Sequence, residues 1–244
     1  MKIDFFPAIP QASLFPPEPA RKCIPEWYKN ASTVPPGHKE KPSAKEMQIN
    51  PDIQASTIKR CMPVHDYITT GYVIKNFLDI SLTQQTDEEN NETVYPYHNT
   101  RLMRPFVEKH KKGQHPGVPI EKEVLKLSGV WGIKTPPGYS CFFYQPFYHA
   151  LDCDYYFLPS IVDTDTYHNP VSLPFILKDI DKSSQKEIFI PCGKPMISVY
   201  PFKRDDWSMS IAQDDLTNDK SRVQILTQLY HVYTRFFHKK KTFK

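Results

Sequence analysis

The sequence contains little glycine and none of the glycine-dependent motifs that mark nucleotide-binding or hydrolase sites. Only 8 of its 244 residues are Gly, which is about half of ordinary usage. No G-x-G-x-x-G segment, P-loop or G-x-S-x-G segment occurs, and no H-E-x-x-H pair is present. These absences exclude phosphate cradles of the usual kind and leave an enzymatic function without a supporting motif.

Long apolar runs and paired cysteines are missing as well. No run of about 18 apolar residues occurs, so no membrane span is predicted, and the start of the chain lacks the apolar region of a signal peptide. The cysteines are odd in number, widely spaced and without a C-x-x-C pair: Cys23, Cys61, Cys141, Cys153 and Cys192. They predict neither a disulfide framework nor a structural zinc site, and a reducing cytoplasm fits them best.

Proline and aromatic residues are abundant by contrast. The chain has 24 Pro, about twice ordinary usage, and aromatic residues make up 13% of it. Because proline interrupts helices and favours turns and sheet edges, many long helices are excluded, while the aromatics suffice for a packed core. The net charge of +4 is a mild excess, and not the strongly basic balance of a dedicated nucleic-acid binder.

Residues 1–36 are predicted to form a proline-rich arm. Eight prolines leave room only for short extended segments, with a short helical turn expected at 25–29. Large aromatic side chains lie among them and are predicted to anchor the arm, because leaving them in water is unfavourable: Phe5, Phe6, Phe15, Trp27 and Tyr28. The arm is expected to pack along its own domain or on a neighbouring subunit.

Residues 57–212 predict a β-rich core domain. In residues 71–82 apolar side chains alternate with polar ones, with Asn76 as the exception, as in a half-buried strand. Residues 84–92 predict a hairpin loop without core-forming residues, and the polar residues 37–56 predict another loop. Further strand-like runs lie at 125–134, 139–147, 155–164, 171–178, 187–191, 195–203 and 208–211. Their spacing favours a mainly β, antiparallel sandwich, jelly roll or barrel in a single domain.

Residues 217–238 predict one amphipathic helix, followed by a basic tail to residue 244. No Pro or Gly interrupts the helical segment, and its apolar residues fall on one face at helical spacing. The tail could contact nucleic acid or an acidic protein surface. A basic run at a terminus is usually only solvated, however, so the sequence does not favour a nucleic-acid partner.

Two short segments could carry chemistry, and the first is WGIKTPPGYS at residues 131–140. Its Pro-Pro-Gly turn joins two apolar runs, as in a tight connection between strands. The segment is either a structural hairpin with a half-buried tryptophan, or it places Trp131, Thr135 and Tyr139 beside a pocket.

The second segment is IVDTDTYHNP at residues 161–170. Asp163 and Asp165 share a strand face and His168 follows closely, so the group could hold a hard cation. Alternatively, the aspartates brace a turn by pairing with Lys134, Lys203 or Arg204. No further ligand is evident, so we predict no metal, no cofactor and no catalytic residue. The candidate pocket or interaction residues are Trp131, Thr135, Tyr139, Asp163, Asp165, His168 and Arg204.

Several short strings together resemble a known family. They are KRCMP at 59–63, TGY at 70–72, KTPPGYS at 134–140, VDTD at 162–165, PF at 174–175, GKP at 193–195 and PFKR at 201–204. The chain resembles an uncharacterised family encoded by tailed phages of marine bacteria, especially T4-like cyanophages, with distant bacterial members. The openings FPAIP and IPEWY are similar to the phage branch. The resemblance implies a viral origin and brings no activity or site residues.

Two functions remain open at this level. The leading hypothesis is a non-enzymatic phage protein, virion-associated or an assembly component, which binds other phage proteins or itself and no membrane. Its place would be the virion or the host cytoplasm. The alternative is an intracellular small-molecule-binding or metal-dependent jelly-roll enzyme made during infection. That enzyme would use Asp163, Asp165 and His168 beside a pocket lined by Trp131 and Tyr139.

Overall fold

The structure, a computed structural model, describes residues 1–97, 105–211 and 233–244. The prediction of a mainly β, antiparallel fold is confirmed. The strands are β1 (Asp4–Pro7), β2 (Glu18–Pro19), β3 (Tyr72–Lys75), β4 (Ile80–Thr86), β5 (Glu92–Pro96), β6 (Val107–Lys109), β7 (Leu125–Leu127), β8 (Trp131–Lys134), β9 (Tyr139–Tyr144), β10 (Tyr155–Phe157), β11 (Ser160–Val162), β12 (Leu173–Leu177), β13 (Gln185–Ile190) and β14 (Pro195–Lys203). The α-helices are α1 (Glu26–Asn30), α2 (Ala44–Ile49) and α3 (Met62–Thr69). Short 3₁₀ turns lie at Pro10–Leu14, Ala20–Lys22, Pro51–Ile53, Ile58–Arg60 and Phe147–His149, and a π-helical turn spans Tyr233–Phe237.

The chain forms two compact units. One contains Met1–Cys23 and Gly71–Arg204, and the other contains Ile24–Thr70 and Asp205–Lys244. The first unit holds all the β-strands described above. The division into an arm at 1–36, a core at 57–212 and a helix at 217–238 is not tested by these units, and it stays a prediction.

The strands of the first unit pair antiparallel in four sheets. Their orders are β11-β9-β14-β3-β2, β10-β12-β7-β6, β13-β4-β5 and β1-β8. A main core cluster collects buried apolar side chains from all four sheets, among them Leu82, Leu125, Ile133, Phe143 and Phe175. Burial of this apolar surface supplies most of the stability of such a fold.

The hairpin predicted around 84–92 is present, but its polar residues are not all at the tip. β4 pairs with β5, and Asp87 closes the turn by accepting hydrogen bonds from the backbone N–H groups of Glu89 and Asn91. The expectation that the segment lacks core residues is wrong, because Gln84 and Glu92 are both buried. The Gln84 amide donates to the Glu92 carboxylate at 2.6 Å, which satisfies two buried polar groups at once.

The strand predicted over 71–82 is broken in the middle. β3 ends at Lys75 and β4 begins at Ile80, and buried Asn76 starts the interruption. The Asn76 side-chain amide donates to three backbone carbonyls, those of Leu78, Ile190 and Pro191. These bonds hold the connection after β3 against the end of β13. The side-chain hydrogen bonds of Asn76 therefore interrupt the strand that the alternating pattern predicted.

The start of the proline-rich arm packs on its own unit. β1 pairs antiparallel with β8, with Phe5 opposite Ile133. The Phe5 ring lies edge-on to Tyr72 at 5.3 Å between centroids, and Phe15 packs against a second core cluster. Phe6 is 48% exposed, so it anchors less than the prediction supposed.

The second unit carries the helices. The turn expected at 25–29 is confirmed as α1, in which Tyr28 is buried and Trp27 is 40% exposed. Two expectations are wrong here. The predicted loop 37–56 contains α2. Helix α3 lies near the start of the segment 57–212, which was predicted to be rich in β-strands. Helix α2 is stabilised by a capping box, in which Ser43 and Glu46 bond each other's backbone N–H groups.

The C-terminal predictions lie mostly beyond the described ranges. The helix expected over 217–238 falls outside them except for the π-helical turn at its end. Residues 208–211, predicted as strand-like, form no strand, and Met209 and Ile211 are exposed. Among the residues that the structure describes, no helix has the length and apolar character to cross a membrane.

Candidate functional site

The predicted site residues lie in two places within the first unit. Trp131 lines an apolar pocket, while the other six residues belong to one polar cluster around the end of β14. Segment 131–140 contributes to both places, with Trp131 in the pocket and Thr135 and Tyr139 in the polar cluster.

Arg204, directly after β14, is the centre of the polar cluster. Its guanidinium donates to the Asp165 carboxylate at 2.9 Å and to the Ser140 hydroxyl at 3.0 Å. It also lies 3.2 Å from the Asp163 carboxylate, which accepts a bond from the Ser140 hydroxyl at 2.6 Å. Arg204, one of the partners that the sequence offered for the aspartates, therefore contacts both of them.

The remaining members of the cluster hold the Pro-Pro-Gly turn between β8 and β9. The backbone N–H of Gly138 donates to Asp165 at 2.7 Å, and the Thr135 hydroxyl donates to the carbonyl of Tyr139 at 3.2 Å. His168 Nε2 lies 3.1 Å from the carbonyl oxygen of Asp165. These contacts tie the turn to the loop after β11, as a brace would.

Arg204 and Asp165 form an ion pair that shifts the pKa of both groups. The hydrogen-bonded Arg204 lowers the pKa of the Asp165 carboxyl to about 2, against the opposing effect of burial. The same contact raises the pKa of Arg204. A carboxylate held in this way is a stable anion at neutral pH and a poor proton donor or acceptor in a reaction.

The polar cluster does not assemble as a cation site. Asp163 and Asp165 both bind Arg204, and His168 contacts a backbone carbonyl. Within residues 1–97, 105–211 and 233–244, no three side chains of His, Cys, Asp or Glu are grouped so that they could hold a metal ion. The cluster geometry supports bracing of the turn better than coordination.

The pocket with Trp131 lies between the end of β3 and the connection from β7 to β8. Its cavity volume is about 30 Å³. The walls are mainly apolar and aromatic: Ile74, Phe77, Phe106, Leu127, Val130, Trp131, Phe143, Val171, Met196 and Ile197. Lys75, Asn76, Ser128 and Gly129 complete the lining. Mostly apolar walls with a few fixed polar groups are typical of small-molecule sites.

Two of the lining residues carry buried polar atoms that lack a hydrogen-bond partner. Trp131 is 6% exposed and Asn76 is 2% exposed. Neither Trp131 Nε1 nor Asn76 Oδ1 has a partner in the part of the chain that the structure describes. A buried polar group without a partner is destabilising by about 1–3 kcal/mol. Trp131 thus contributes an unpaired donor and Asn76 an unpaired acceptor to this part of the core.

Local structure fixes both residues in position. Trp131 opens β8 opposite Pro7 of β1, and it packs with Phe77 and Val130 in a second core cluster. Asn76 is held by its own amide bonds and by a backbone bond to Lys194 at 2.9 Å. Sequence reasoning gave a pocket as one of two readings for Trp131, beside a structural hairpin, and missed Asn76. The available signal was a lone polar residue in an otherwise alternating strand.

Comparison with known proteins gives a fold likeness and no family. No family model matches the chain, and no curated protein matches it. A mutant of the dUTPase of Staphylococcus bacteriophage 80alpha with dUpNHpp is 11% identical, with a TM-score of 0.32 over 60% of this chain and 78% of that chain. A mutant dUTPase of phage phi11 of S. aureus is 11% identical, with a TM-score of 0.34 over 60% of this chain and 85% of that chain.

The prediction of a non-enzymatic virion-associated component is contradicted by this comparison. The solved structures that the chain resembles are phage dUTPases, which are enzymes and not coat, neck or tail proteins. At TM-scores of 0.32 to 0.34 the likeness assigns no substrate or reaction to this chain.

Proposed function

We propose that this protein binds a small molecule in the Trp131 pocket. The observation that carries the proposal is the pair of buried, unpartnered atoms, Trp131 Nε1 and Asn76 Oδ1, on residues that line one apolar cavity. A ligand that enters the cavity covers this apolar surface, and one that reaches either atom also removes a desolvation penalty. The polar cluster around Arg204 serves as the brace that holds the neighbouring β8–β9 turn.

The walls of the pocket are prearranged for such a ligand. Phe77 and Phe106 lie edge-to-face at 4.8 Å between ring centroids, and Trp131 is held by strand pairing with β1. Rigid walls reduce the entropy that is lost on binding, which favours affinity for a small partner. The polar atoms then orient the ligand.

The indole N–H resonance of Trp131 provides the direct test. The protein has three tryptophans, so a ¹⁵N–¹H spectrum holds three indole signals, and Trp131→Phe identifies the relevant one. Titration with a library of small fragments is expected to shift the Trp131 signal. Trp207, which is 90% exposed, supplies an internal control that stays in place. A library that moves no Trp131 signal at concentrations up to about 100 mM would overturn the proposal.

The setting of this binding is proposed from the family resemblance alone. We place the protein in the host cytoplasm during infection by a cyanophage, where a small-molecule ligand is available. Quantitative mass spectrometry of purified particles and of infected-cell lysate tests this placement. Abundance in the lysate with absence from particles is the expected result, and a fixed copy number in particles contradicts it.

A further inference from the structure

We infer that the solvent-facing side of the sheet β13-β4-β5 binds a small quaternary ammonium compound. Four side chains define this surface, which we call the aromatic platform: Tyr95, Tyr97, Glu187 and Phe189. None of them lines the Trp131 pocket, so the inference goes beyond the proposed function and does not depend on it. Strand register, exposure and charge carry it.

The strand register places the four side chains on one face of the sheet. Two rows of three residues run across the strands there, Phe189–Ser81–Tyr97 and Glu187–Thr83–Tyr95. Tyr97, which directly follows β5, belongs to the first row because its backbone N–H donates to the carbonyl of Ser81 at 2.9 Å. From the usual strand spacing and rise, the four platform residues stand at the corners of a rectangle of about 10 by 7 Å.

The platform is open to solvent. Tyr97 is 78% exposed, Phe189 is 62% exposed and Tyr95 is 54% exposed. The neighbouring residues Leu82 and Ile188 point to the opposite face and are buried in the main core. Large apolar side chains that are exposed together indicate a binding surface.

A group above the middle of the rectangle is within reach of all four corners. The middle lies about 6 Å from each corner Cα atom, and the residues there, Ser81 and Thr83, have small side chains. A cation is attracted to the face of an aromatic ring when it lies within about 6 Å of the ring centroid. One small cation can therefore interact with several of these rings at once.

The charge of Glu187 favours a cationic ligand. Its carboxylate is exposed and accepts hydrogen bonds from two neutral groups, the Thr83 hydroxyl at 2.9 Å and the Gln185 amide at 3.3 Å. Within the described ranges no cation is paired with it. The platform thus offers a negative charge beside three aromatic rings, which is the complement of an organic cation.

Lys109 does not supply the missing positive charge. Its ammonium lies 5.4 Å from the centroid of the Tyr95 ring, but it is paired with the Glu123 carboxylate at 2.8 Å. The charge of Lys109 is therefore offset on the side away from Glu187. Its position also shows that a cation can approach one of the platform rings.

The hydrogen bonds of Glu187 favour a quaternary ammonium group over a lysine or arginine side chain. A primary ammonium has three N–H donors and a guanidinium has five, and each donor that loses water over an aromatic ring needs an acceptor. Both carboxylate oxygens of Glu187 already accept a bond, from Thr83 and from Gln185. A quaternary ammonium group has no donor, and it contacts the rings through its methyl groups.

The extent of the aromatic surface favours a small compound. The next row on the same face is polar, with Gln185 opposite Gln85 and Gln85 opposite Thr93. The Gln85 amide donates to the Gln185 side-chain oxygen at 2.7 Å, so these two groups are already bonded to each other. The aromatic part of the face therefore ends at the rectangle, and one methylated ammonium group covers it.

Choline and 3,3-dimethyl-1-butanol test the inference as a matched pair, because they differ only in the charged nitrogen and its neutral carbon counterpart. Each is titrated into the full chain at constant ionic strength, and the amide signals of Ser81 and Thr83 are followed in ¹⁵N–¹H spectra. Choline is expected to shift both signals with a dissociation constant of about 1–50 mM. The uncharged alcohol is expected to bind about tenfold more weakly.

Variants locate the effect. Glu187→Gln removes the charge at nearly constant size, so it should weaken choline binding about threefold and leave binding of the alcohol unchanged. Tyr97→Leu should weaken choline binding by about the same factor. Tyr156→Leu is the matched control and should change nothing, because Tyr156 is 49% exposed on a different sheet and has Lys178 at 5.6 Å from its ring.

The outcomes separate the parts of the inference. Equal affinities for choline and the alcohol, or an unchanged affinity of Glu187→Gln for choline, would overturn recognition of a cation. The absence of a saturable shift with choline up to about 200 mM would overturn binding at the platform, whether or not the variants fold. A trimethyllysine peptide that binds about tenfold more tightly than choline would overturn the small compound as the occupant. The Trp131 pocket is judged separately, by its own indole signal.

Discussion

Asp165 is held by donors from two directions, and this fixes its protonation over a wide pH range. Arg204 and the Gly138 N–H both bond its carboxylate, and its pKa is lowered to about 2. An unfolded aspartate titrates near pH 3.9. Because the folded pKa is below the unfolded one, the stabilisation is present above about pH 4 and is lost as the pH falls toward about 2.

The variant Asp165→Asn should therefore be less stable than the native protein at pH 7. The difference between the two should shrink steadily as the pH falls from 4 to 2, because the native carboxylate then becomes protonated. Urea-unfolding midpoints at pH 7, 4, 3 and 2 measure this. Asp163→Asn is the control, since the Asp163 side chain is 60% exposed and should matter less. Parallel loss of stability in Asp165→Asn and the native protein would contradict the linkage.

The structural role of some residues can be predicted from the sequence, whereas the role of others cannot. Trp131, as a large aromatic beside a Pro-Pro-Gly turn, is visible in the sequence as a pocket candidate. Asn76 is not, because its function depends on carbonyls of Ile190 and Pro191 more than 110 positions away along the chain. The Arg204 partnership with Asp165 was one of three open pairings, since a local sequence pattern does not reveal which distant cation contacts the carboxylate.

At the scale of elements, the close approach of two connections depends on a glycine. A Cβ on Gly129, between β7 and β8, would lie 2.4 Å from the carbonyl oxygen and 2.5 Å from the carbonyl carbon of Val171. Backbone atoms cannot rotate away, so Gly129→Ala should lower the free energy of unfolding by about 1–3 kcal/mol. Since Gly129 lines the pocket, the Trp131 indole signal should also move.

Gly117 offers the matched substitution. A Cβ there would meet nothing within 4 Å, so Gly117→Ala should change the free energy of unfolding by no more than about 0.5 kcal/mol. Equal effects of the two substitutions in chemical denaturation would mean that the contact between Gly129 and Val171 does not form as described.

The sequence contains a capping box at the start of helix α2, although the polar composition of the segment predicts a loop. Its flanking residues are polar, so the segment reads as a loop, yet Ser43 and Glu46 have the spacing of a capping box. Ser43→Ala should destabilise α2 by about 1 kcal/mol. Amide hydrogen exchange measures this as faster exchange at Met47 and Asn50, which donate to the carbonyls of Ser43 and Glu46. Unchanged exchange at both amides would show that the cap contributes nothing.

For the whole molecule, the strand-like runs predict the class of fold but not the order in which the strands pair. Strand-like runs correctly indicate β9, β12, β13 and β14, because each run is bounded by local breaks and is rich in strand-favouring residues. Sheet order depends on which strands meet, and this is decided by packing between distant segments. The pairing of β1 with β8 joins residues about 125 positions apart, and no local pattern in a proline-rich arm specifies that partner.

That pairing makes the first residues part of the fold, and their removal tests it. Deleting residues 1–7 removes β1, leaves β8 without the partner it has in the structure, and exposes the face of Tyr72 that Phe5 covers. Loss of the partly buried Phe5 contacts alone should decrease the free energy of unfolding by about 1–2 kcal/mol, and the unpaired strand should promote association. Unfolding midpoints and light scattering measure the two effects. Deleting residues 1 and 2 is the control, because they precede the strand. If removal of residues 1–7 leaves stability and the Trp131 indole signal unchanged, β1 does not pair with β8 in solution, and the arm is then available to a neighbouring molecule instead.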